Sequence, residues 1–258
     1  MRGLTNCGNS CYFNTAVQCL AHIPSLSNHL IHFRYTGECQ FTQEYRRTIR
    51  ELFSKAKFEP VCSQALIGAF KTQFPRFDNL NQHDSQEVVL CIIDTLEKSL
   101  GKEFIKNIFN GEETTETHYP GGKSEYKNDF TTQLFIVNEN SDLLDLVKNK
   151  KYFQNISGYR DENGTEHEHA STRTIVTRWP KIISFTFGMY GRKCVIRIPD
   201  VFEDKKLFAV IVHQGGMRGG HYAVAILRND VWYLKDDETV TKLSEPPVQG
   251  HFYMVWYR

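Results

Sequence analysis

The fold class predicted by the sequence is α+β with segregated layers, and three observations carry it. Amphipathic helical stripes fill the first hundred residues, β-rich runs take over from about residue 130, and Gly, Asp and Asn separate many of those runs. Phe13, Ala16, Val17 and Leu20 recur at the spacing of one helix face, directly after a turn rich in Gly and Asn. Tyr45, Ile49, Leu52 and Phe53 form a second stripe. Ala65, Leu66, Ala69 and Phe70 form a third that ends near Pro75, where the ring forbids continuation. Val88, Val89, Ile92, Ile93, Leu96 and Leu100 form the longest. Each stripe beyond the first reads as plain core packing.

The β-rich runs are Phe130–Val137, Ile182–Phe187, Cys194–Ile198, Leu207–His213, Tyr222–Leu227, Val231–Leu234 and Phe252–Tyr257. The polar stretch Asp161–Thr174 reads as an exposed, mobile loop. No internal repeat or low-complexity linker interrupts the chain, and 258 residues suffice for one large domain or two small ones.

Hydrophobic residues make up 40% and charged residues 24%, a globular balance. A formal net charge of +1 creates no strong field for nucleic acid or a membrane surface. The longest apolar runs, near Ala209–Val212 and Tyr222–Leu227, are too short to span a bilayer. No signal peptide is expected, because the cysteine-containing motif begins at once. The seven cysteines are odd in number and scattered without a Cys-x-x-Cys pair, as expected of reduced thiols in the cytoplasm or nucleus.

The chemistry concentrates at two distant places. In Gly3-Leu4-Thr5-Asn6-Cys7-Gly8-Asn9-Ser10-Cys11-Tyr12-Phe13-Asn14 the turn hands Cys11 to a helix N-terminus. Free N–H groups and the helix dipole favour a thiolate there, the nucleophilic form of cysteine. Far downstream, Gly219-Gly220-His221-Tyr222 opens an apolar run, and Trp232-Tyr233-Leu234-Lys235-Asp236-Asp237 follows on the next one. A histidine between strands supplies a general base near neutral pH, and an acid on the neighbouring strand orients it. The order Cys, His, Asp matches the papain-like arrangement, in which partners distant in sequence meet in space.

These residues carry a resemblance to the ubiquitin-specific proteases. The first run resembles that family's cysteine box and the second its histidine box. Between them, Gln82-His83-Asp84-Ser85-Gln86-Glu87 is similar to its Gln-Gln-Asp-x-x-Glu segment. Softer matches are Trp179-Pro180-Lys181, Ala209-Val210-Ile211-Val212-His213 and the aromatic end Phe252 to Tyr257. The resemblance covers essentially the whole chain in the right order. It implies a papain-like cysteine protease fold: a helical thumb-like part (1–107), a reduced β fingers-like part (108–178) and a β-rich palm-like part (179–258).

The resemblance also implies roles. Cys11 is the nucleophile and His221 the base. Asp236, four positions after Trp232, is the orienter; alternation along a strand lets only one of Asp236 and Asp237 point at His221, and the choice of Asp236 rests on the resemblance. Asn6 supplies a side-chain amide to an oxyanion hole, where turn shaping is the competing reading. Asp84 and Glu87 fit a capping box ahead of the long apolar stripe, whereas the resemblance implies binding of the basic ubiquitin tail. Gln82, His213, Gly220, Tyr222 and Asp237 complete the residues expected at the substrate, and Gly215 to Gly220 becomes a blocking loop over its Gly-Gly end.

The chain departs from the family in three places. The region from Ile108 to Arg178 holds no cysteine, so the zinc-binding pairs of many members are missing; His118, His167 and His169 there are a poor match to structural zinc, and neither metal nor cofactor is expected. Val88 stands where Phe is usual, and Gly188-Met189-Tyr190 replaces Lys-Arg-Phe. The expected partner is ubiquitin or a ubiquitin-conjugated protein, with a monomeric chain and neither nucleic acid nor membrane. A protease for another ubiquitin-like modifier and a silent ubiquitin-binding module remain alternatives.

Overall fold

The structure is a computed structural model that describes residues 1–55, 59–79, 81–189, 193–216 and 219–258. Among the described residues seven α-helices form: α1 (Cys11–Ala21), α2 (Pro24–His32), α3 (Gln40–Leu52), α4 (Gln64–Gln73), α5 (Ser85–Leu100), α6 (Lys102–Phe109) and α7 (Leu143–Lys150). Six precede the sheets, so the segregated α+β order holds, with α7 placed among strands. The predicted stripes at α1, α3, α4 and α5 are helices. The short helices α2, α6 and α7 lie outside the predicted stripes, although α6 buries Ile105, Ile108 and Phe109 on one face. Pro24 in the first turn of α2 and the Asp142 side chain, which accepts from Leu144 N–H at 2.8 Å, mark two of their starts.

The central sheet runs, in order, Thr239–Lys242, Val231–Asp236, Gly219–Arg228, Lys205–Gly216, Phe252–Tyr257, Ile183–Gly188 and Gln133–Ile136, with Val201–Phe202 pairing beside Lys205–Gly216. All neighbours are antiparallel except Gln133–Ile136, which lies parallel to Ile183–Gly188. The long excursion between these two strands makes the parallel pairing possible. α1 is buried along its whole length and packs on α5 and on the strands Gly219–Arg228 and Val231–Asp236. Phe13, Phe41, Phe70 and Phe77 fill the helical core, while Phe185, Phe202, Tyr257 and the half-buried Trp179 stack edge to face or tilted on the far side of the sheet.

Two expectations change. Asp161–Thr174 is not one loop: Glu166–His167 is a short strand and Ala170 starts a nine-residue strand that pairs with Gly111–Tyr119. The whole four-stranded sheet of Gly122–Phe130, Gly111–Tyr119, Ala170–Arg178 and Gln154–Ile156 lacks the apolar alternation that predicts strands, because most of its side chains meet water. The glycines after Gln214 continue the ladder, with Gly215 paired to Gly220 and Gly216 to Gly219, so the described part of the proposed blocking loop is hairpin. Met217 and Arg218 lie outside the described residues, as does Tyr190. No helix of the described residues is long and apolar enough to cross a membrane.

Candidate active site

The hairpin register places the acid against the base. Asn229 and Asp230 both have left-handed backbones, φ 49° and 59°, as a two-residue type I′ turn requires. That turn fixes Arg228 opposite Val231 and Val224 opposite Lys235. Continuing that register by one step sets Asp236 level with Ala223, with His221 as its diagonal neighbour on the same face. His221 Nε2 meets Asp236 Oδ1 at 2.5 Å. Among the described residues no hydrogen bond engages the other ring nitrogen, Nδ1.

The strand ends at Asp236, and Asp237 enters a left-handed turn with φ 48°. Asp237 thus leaves the strand through a turn, and because of that turn one of its carboxylate oxygens still lies within 4.8 Å of His221 and Asp236, which strand alternation alone would not allow. Its carboxylate accepts from Asn14 Nδ2 at 2.8 Å and Asn6 Nδ2 at 2.6 Å. Its carbonyl accepts from Leu4 N–H at 2.9 Å. Gly3 permits this close approach: a Cβ there would stand 2.3 Å from the Asp237 carbonyl oxygen. Asn6 Oδ1 accepts from Gly8 N–H at 3.0 Å and Ser10 N–H at 3.3 Å, so Asn6 shapes the turn before α1 while its amide lies beside Asp237.

Cys11 begins α1 as predicted and is 1% exposed. Its thiol differs from the expected thiolate. Burial, the largest cause, pushes its pKa up; the N–H of Tyr222 counters this, Asp237 raises it further, and the N–H groups of Tyr12 and Cys11 itself pull it back. Converting this thiol to a thiolate therefore requires a proton acceptor. Gln82 Nε2 lies 3.9 Å from Cys11 Sγ, and among the described residues no hydrogen bond joins Cys11 to His221. Cys7, four residues earlier, is exposed, as is Cys62.

The other predicted residues surround this centre. The Gln82 amide makes a reciprocal pair of hydrogen bonds with the Gly220 N–H and carbonyl, bridging to the histidine strand. A Cβ on Gly220 would collide with His213 Nε2 at 2.3 Å. His213 packs with its ring tilted against the buried Tyr222, centroids 4.3 Å apart, and its pKa is lowered by burial, an effect opposed by Asp84 and reinforced by His221. Asp84 caps α5, accepting from Gln86 N–H at 2.7 Å and Glu87 N–H at 3.3 Å, and also accepts from the Tyr253 hydroxyl. Glu87 pairs with Arg76 at 2.7 Å, with both side chains about half exposed.

His221, Asp236 and Asp237 bring one ligand atom each within 4.8 Å of one another. The hydrogen bonds from His221, Asn6 and Asn14 already account for this cluster. His118 and His167 are engaged with Glu116 and Asp161. Sequence reasoning missed Asn14, Asp237's link to Asn6, and Lys235, which is 3% exposed beside Asp236. The Trp-Tyr-Leu-Lys pattern gave no signal for Lys235, since strand period groups it with the half-buried Val231 and Tyr233 and sets the apolar Trp232 and Leu234 on the other face.

A thiol at a helix start, facing a sheet that carries a histidine bonded to a carboxylate, has the groups a thiol hydrolase uses. The comparisons agree with this class. The family "Ubiquitin carboxyl-terminal hydrolase" matches residues 2–257, and the chain belongs to that family. It is 25% identical to ubiquitin C-terminal hydrolase 13 of Arabidopsis thaliana, over 93% of this chain and 25% of that protein. It is 24% identical to ubiquitin carboxyl-terminal hydrolase 16 of the same plant, over 99% of this chain and 30% of that protein. The chain thus spans less than a third of these relatives. Over 39% of its length it is 32% identical to human ubiquitin carboxyl-terminal hydrolase 15, covering 11% of that protein. The fold matches a chain of the SAGA Ubp8 DUB module bound to monoubiquitin with a TM-score of 0.85, at 15% identity, over 100% of this chain and 68% of that one.

Proposed function

We propose that this chain is the catalytic domain of a thiol-dependent deubiquitinase that hydrolyses the isopeptide or peptide bond after the C-terminal glycine of ubiquitin. The observation that carries the reading is the packing of the helix that Cys11 begins against the two strands that bear His221 and Asp236, whose side chains are hydrogen-bonded. His221 takes the Cys11 proton on its free nitrogen, with Asp236 holding the ring and stabilising the imidazolium. The thiolate attacks the carbonyl carbon; the C–N bond breaks as His221 returns the proton to the leaving amine, and a thioester remains. Water, deprotonated by His221, then hydrolyses the thioester. Asn6, steadied by Asp237, and the backbone N–H groups at the α1 start stabilise the oxyanion.

Gln82, Asp84, Glu87, His213, Gly220 and Tyr222 line the approach of the substrate tail, with Asp237 acting at the edge of the same site. The parts 1–107, 108–178 and 179–258 serve as thumb, reduced fingers and palm. The solved structures the chain resembles are described as bound to monoubiquitin and to ubiquitin aldehyde, which supports ubiquitin as the partner. The scattered thiols support a cytoplasmic or nuclear setting. The test is release of a fluorophore from the ubiquitin C-terminus. Wild type turns over, and Cys11→Ala loses roughly 10³-fold or more while melting normally. Activity retained by Cys11→Ala would refute the reading, and preference for another ubiquitin-like modifier in a probe panel would redirect it.

A further inference from the structure

Lys235 is 3% exposed, one residue before Asp236, and among the described residues no carboxylate pairs with it. Its Nζ donates to Gln18 Oε1 at 2.6 Å and to the Arg2 carbonyl oxygen at 3.2 Å. Gln18 Nε2 donates to that same Arg2 carbonyl at 3.2 Å. The three groups close a buried polar ring. Gln18 is 2% exposed and Arg2 5%.

Each member stands on an element that carries one of the candidate catalytic groups. Gln18 lies on α1, two turns beyond Cys11. Lys235 lies on the strand that ends at Asp236. Arg2 opens the segment that runs through Gly3 and Leu4 to Asn6, and its guanidinium is itself fixed by the carbonyls of Glu59 and Glu51. A buried ammonium without a counter-ion is expensive, and an apolar side chain of similar volume would be the stabilising choice at such a position. The lysine instead holds hydrogen bonds to two other elements at once.

We propose that Lys235 is a positioning residue that sets the Asp236 strand, the Cys11 helix and the Asn6 segment in register for the reaction. The inference rests on the hydrolase reading given above. The surroundings support it. Burial, and then Arg228, hold Lys235 down to about 7, and the same cation presses on His22, which burial and Lys235 push well below its ordinary range. The Met1 amine feels Arg228 and Lys235 as well. The hydrogen-bonded ring, not an ion pair, therefore accounts for where the ammonium sits.

Lys235→Met keeps the length and apolar bulk of the side chain. The expected result is a kcat reduced about tenfold, KM within about twofold, and a Tm equal to or above wild type. The Leu4 amide, which donates to the Asp237 carbonyl, should exchange its hydrogen about tenfold faster. Gln18→Leu removes the lysine's side-chain acceptor and should reproduce the kcat loss, with the double variant no worse than the poorer single. It also serves where Lys235→Met fails to fold. An unchanged kcat and Leu4 exchange rate, a kcat loss that merely follows the folded fraction, or multiplicative losses in the double variant would overturn the inference. A wild-type chain that does not turn over ubiquitin substrates defeats the hydrolase reading instead, and Leu4 exchange still decides the positioning role.

Discussion

The two larger sheets of the molecule are built by different forces. In the central sheet Phe185, Val210, Val224 and Val255 are fully buried, and the strands are held by what packs on both faces. In the sheet from Gly111 to Arg178 the Gly122–Phe130 strand has no buried residue at all. Its neighbours rely on cross-strand polar pairs: Thr115 with Thr174 at 3.2 Å, Thr117 with Thr172 at 3.1 Å, and Arg173 with Glu116 at 2.6 Å. Such pairs contribute roughly 0.2–1 kcal/mol each, whereas a buried aromatic contributes several times more. The candidate site sits on the sheet whose geometry is fixed by burial from both sides. The polar sheet, a fingers-like part by resemblance, is left with shape and little stability to lose.

The largest expected effect lies within the buried sheet. Asp236→Ala should reduce kcat by about 10²–10⁴, because His221 loses the group that holds its ring. Asp237→Ala should cost about tenfold, through Asn6 and Asn14. Kinetics of both variants check the order, and equal losses would mean that the two carboxylates act as one unit.

Stability should separate the two sheets next. Phe185→Ala is expected to destabilise by about 3–5 kcal/mol, and Tyr126→Ala, 68% exposed on the polar sheet, by no more than about 0.5 kcal/mol. Denaturant unfolding of the pair measures this. Similar losses would erase the contrast.

A pH effect follows from Lys235. Folding holds its pKa near 7, against 10.5 for a free lysine. Between those values the unfolded chain binds the extra proton, so stability rises with pH across the window, and the penalty is fully present below 7. Tm should climb by about 5 °C between pH 7 and 9 from this group, and the climb should vanish in Lys235→Met. The smallest effect is expected at Glu87. Glu87→Gln should raise KM for ubiquitin substrates about threefold at low salt and less at high salt, with Tm unchanged, since the carboxylate is half exposed and already shared with Arg76. An unchanged KM in both salts would leave Glu87 a structural partner of Arg76.

The same contrast explains what was legible in the sequence. Apolar periodicity exposed α1, α3, α4, α5 and most central strands because burial writes itself into residue type. Cys194–Ile198 yielded only the two-residue strand Ile196–Arg197, since its apolar residues pack as irregular chain. The hairpin Gly111–Phe130 was invisible, as threonines, glutamates and lysines facing water carry no period. At the candidate site, residue chemistry and order brought forward Cys11 and His221, while the choice of Asp236 over Asp237 and the oxyanion role of Asn6 came from the family resemblance. The tie between Asn6 and Asp237 was not legible, because it depends on a left-handed turn at Asp237 and on the approach of Gly3. The pairing of Glu87 with Arg76 likewise depends on how the short Pro75–Phe77 turn docks on α5.

The contrast between a covered Cys11 and an uncovered Cys7 governs how the chain responds to electrophiles. A small alkylating agent reaches Cys7 and Cys62 before Cys11, which lies beneath the Gln82 amide and keeps its proton. Labelling stoichiometry with such a reagent would count surface thiols. With Cys11 as the proposed nucleophile, a selective inhibitor would need recognition elements that displace Gln82 and carry its warhead along the histidine strand, so selectivity would come from the scaffold and not from the intrinsic reactivity of the sulfur.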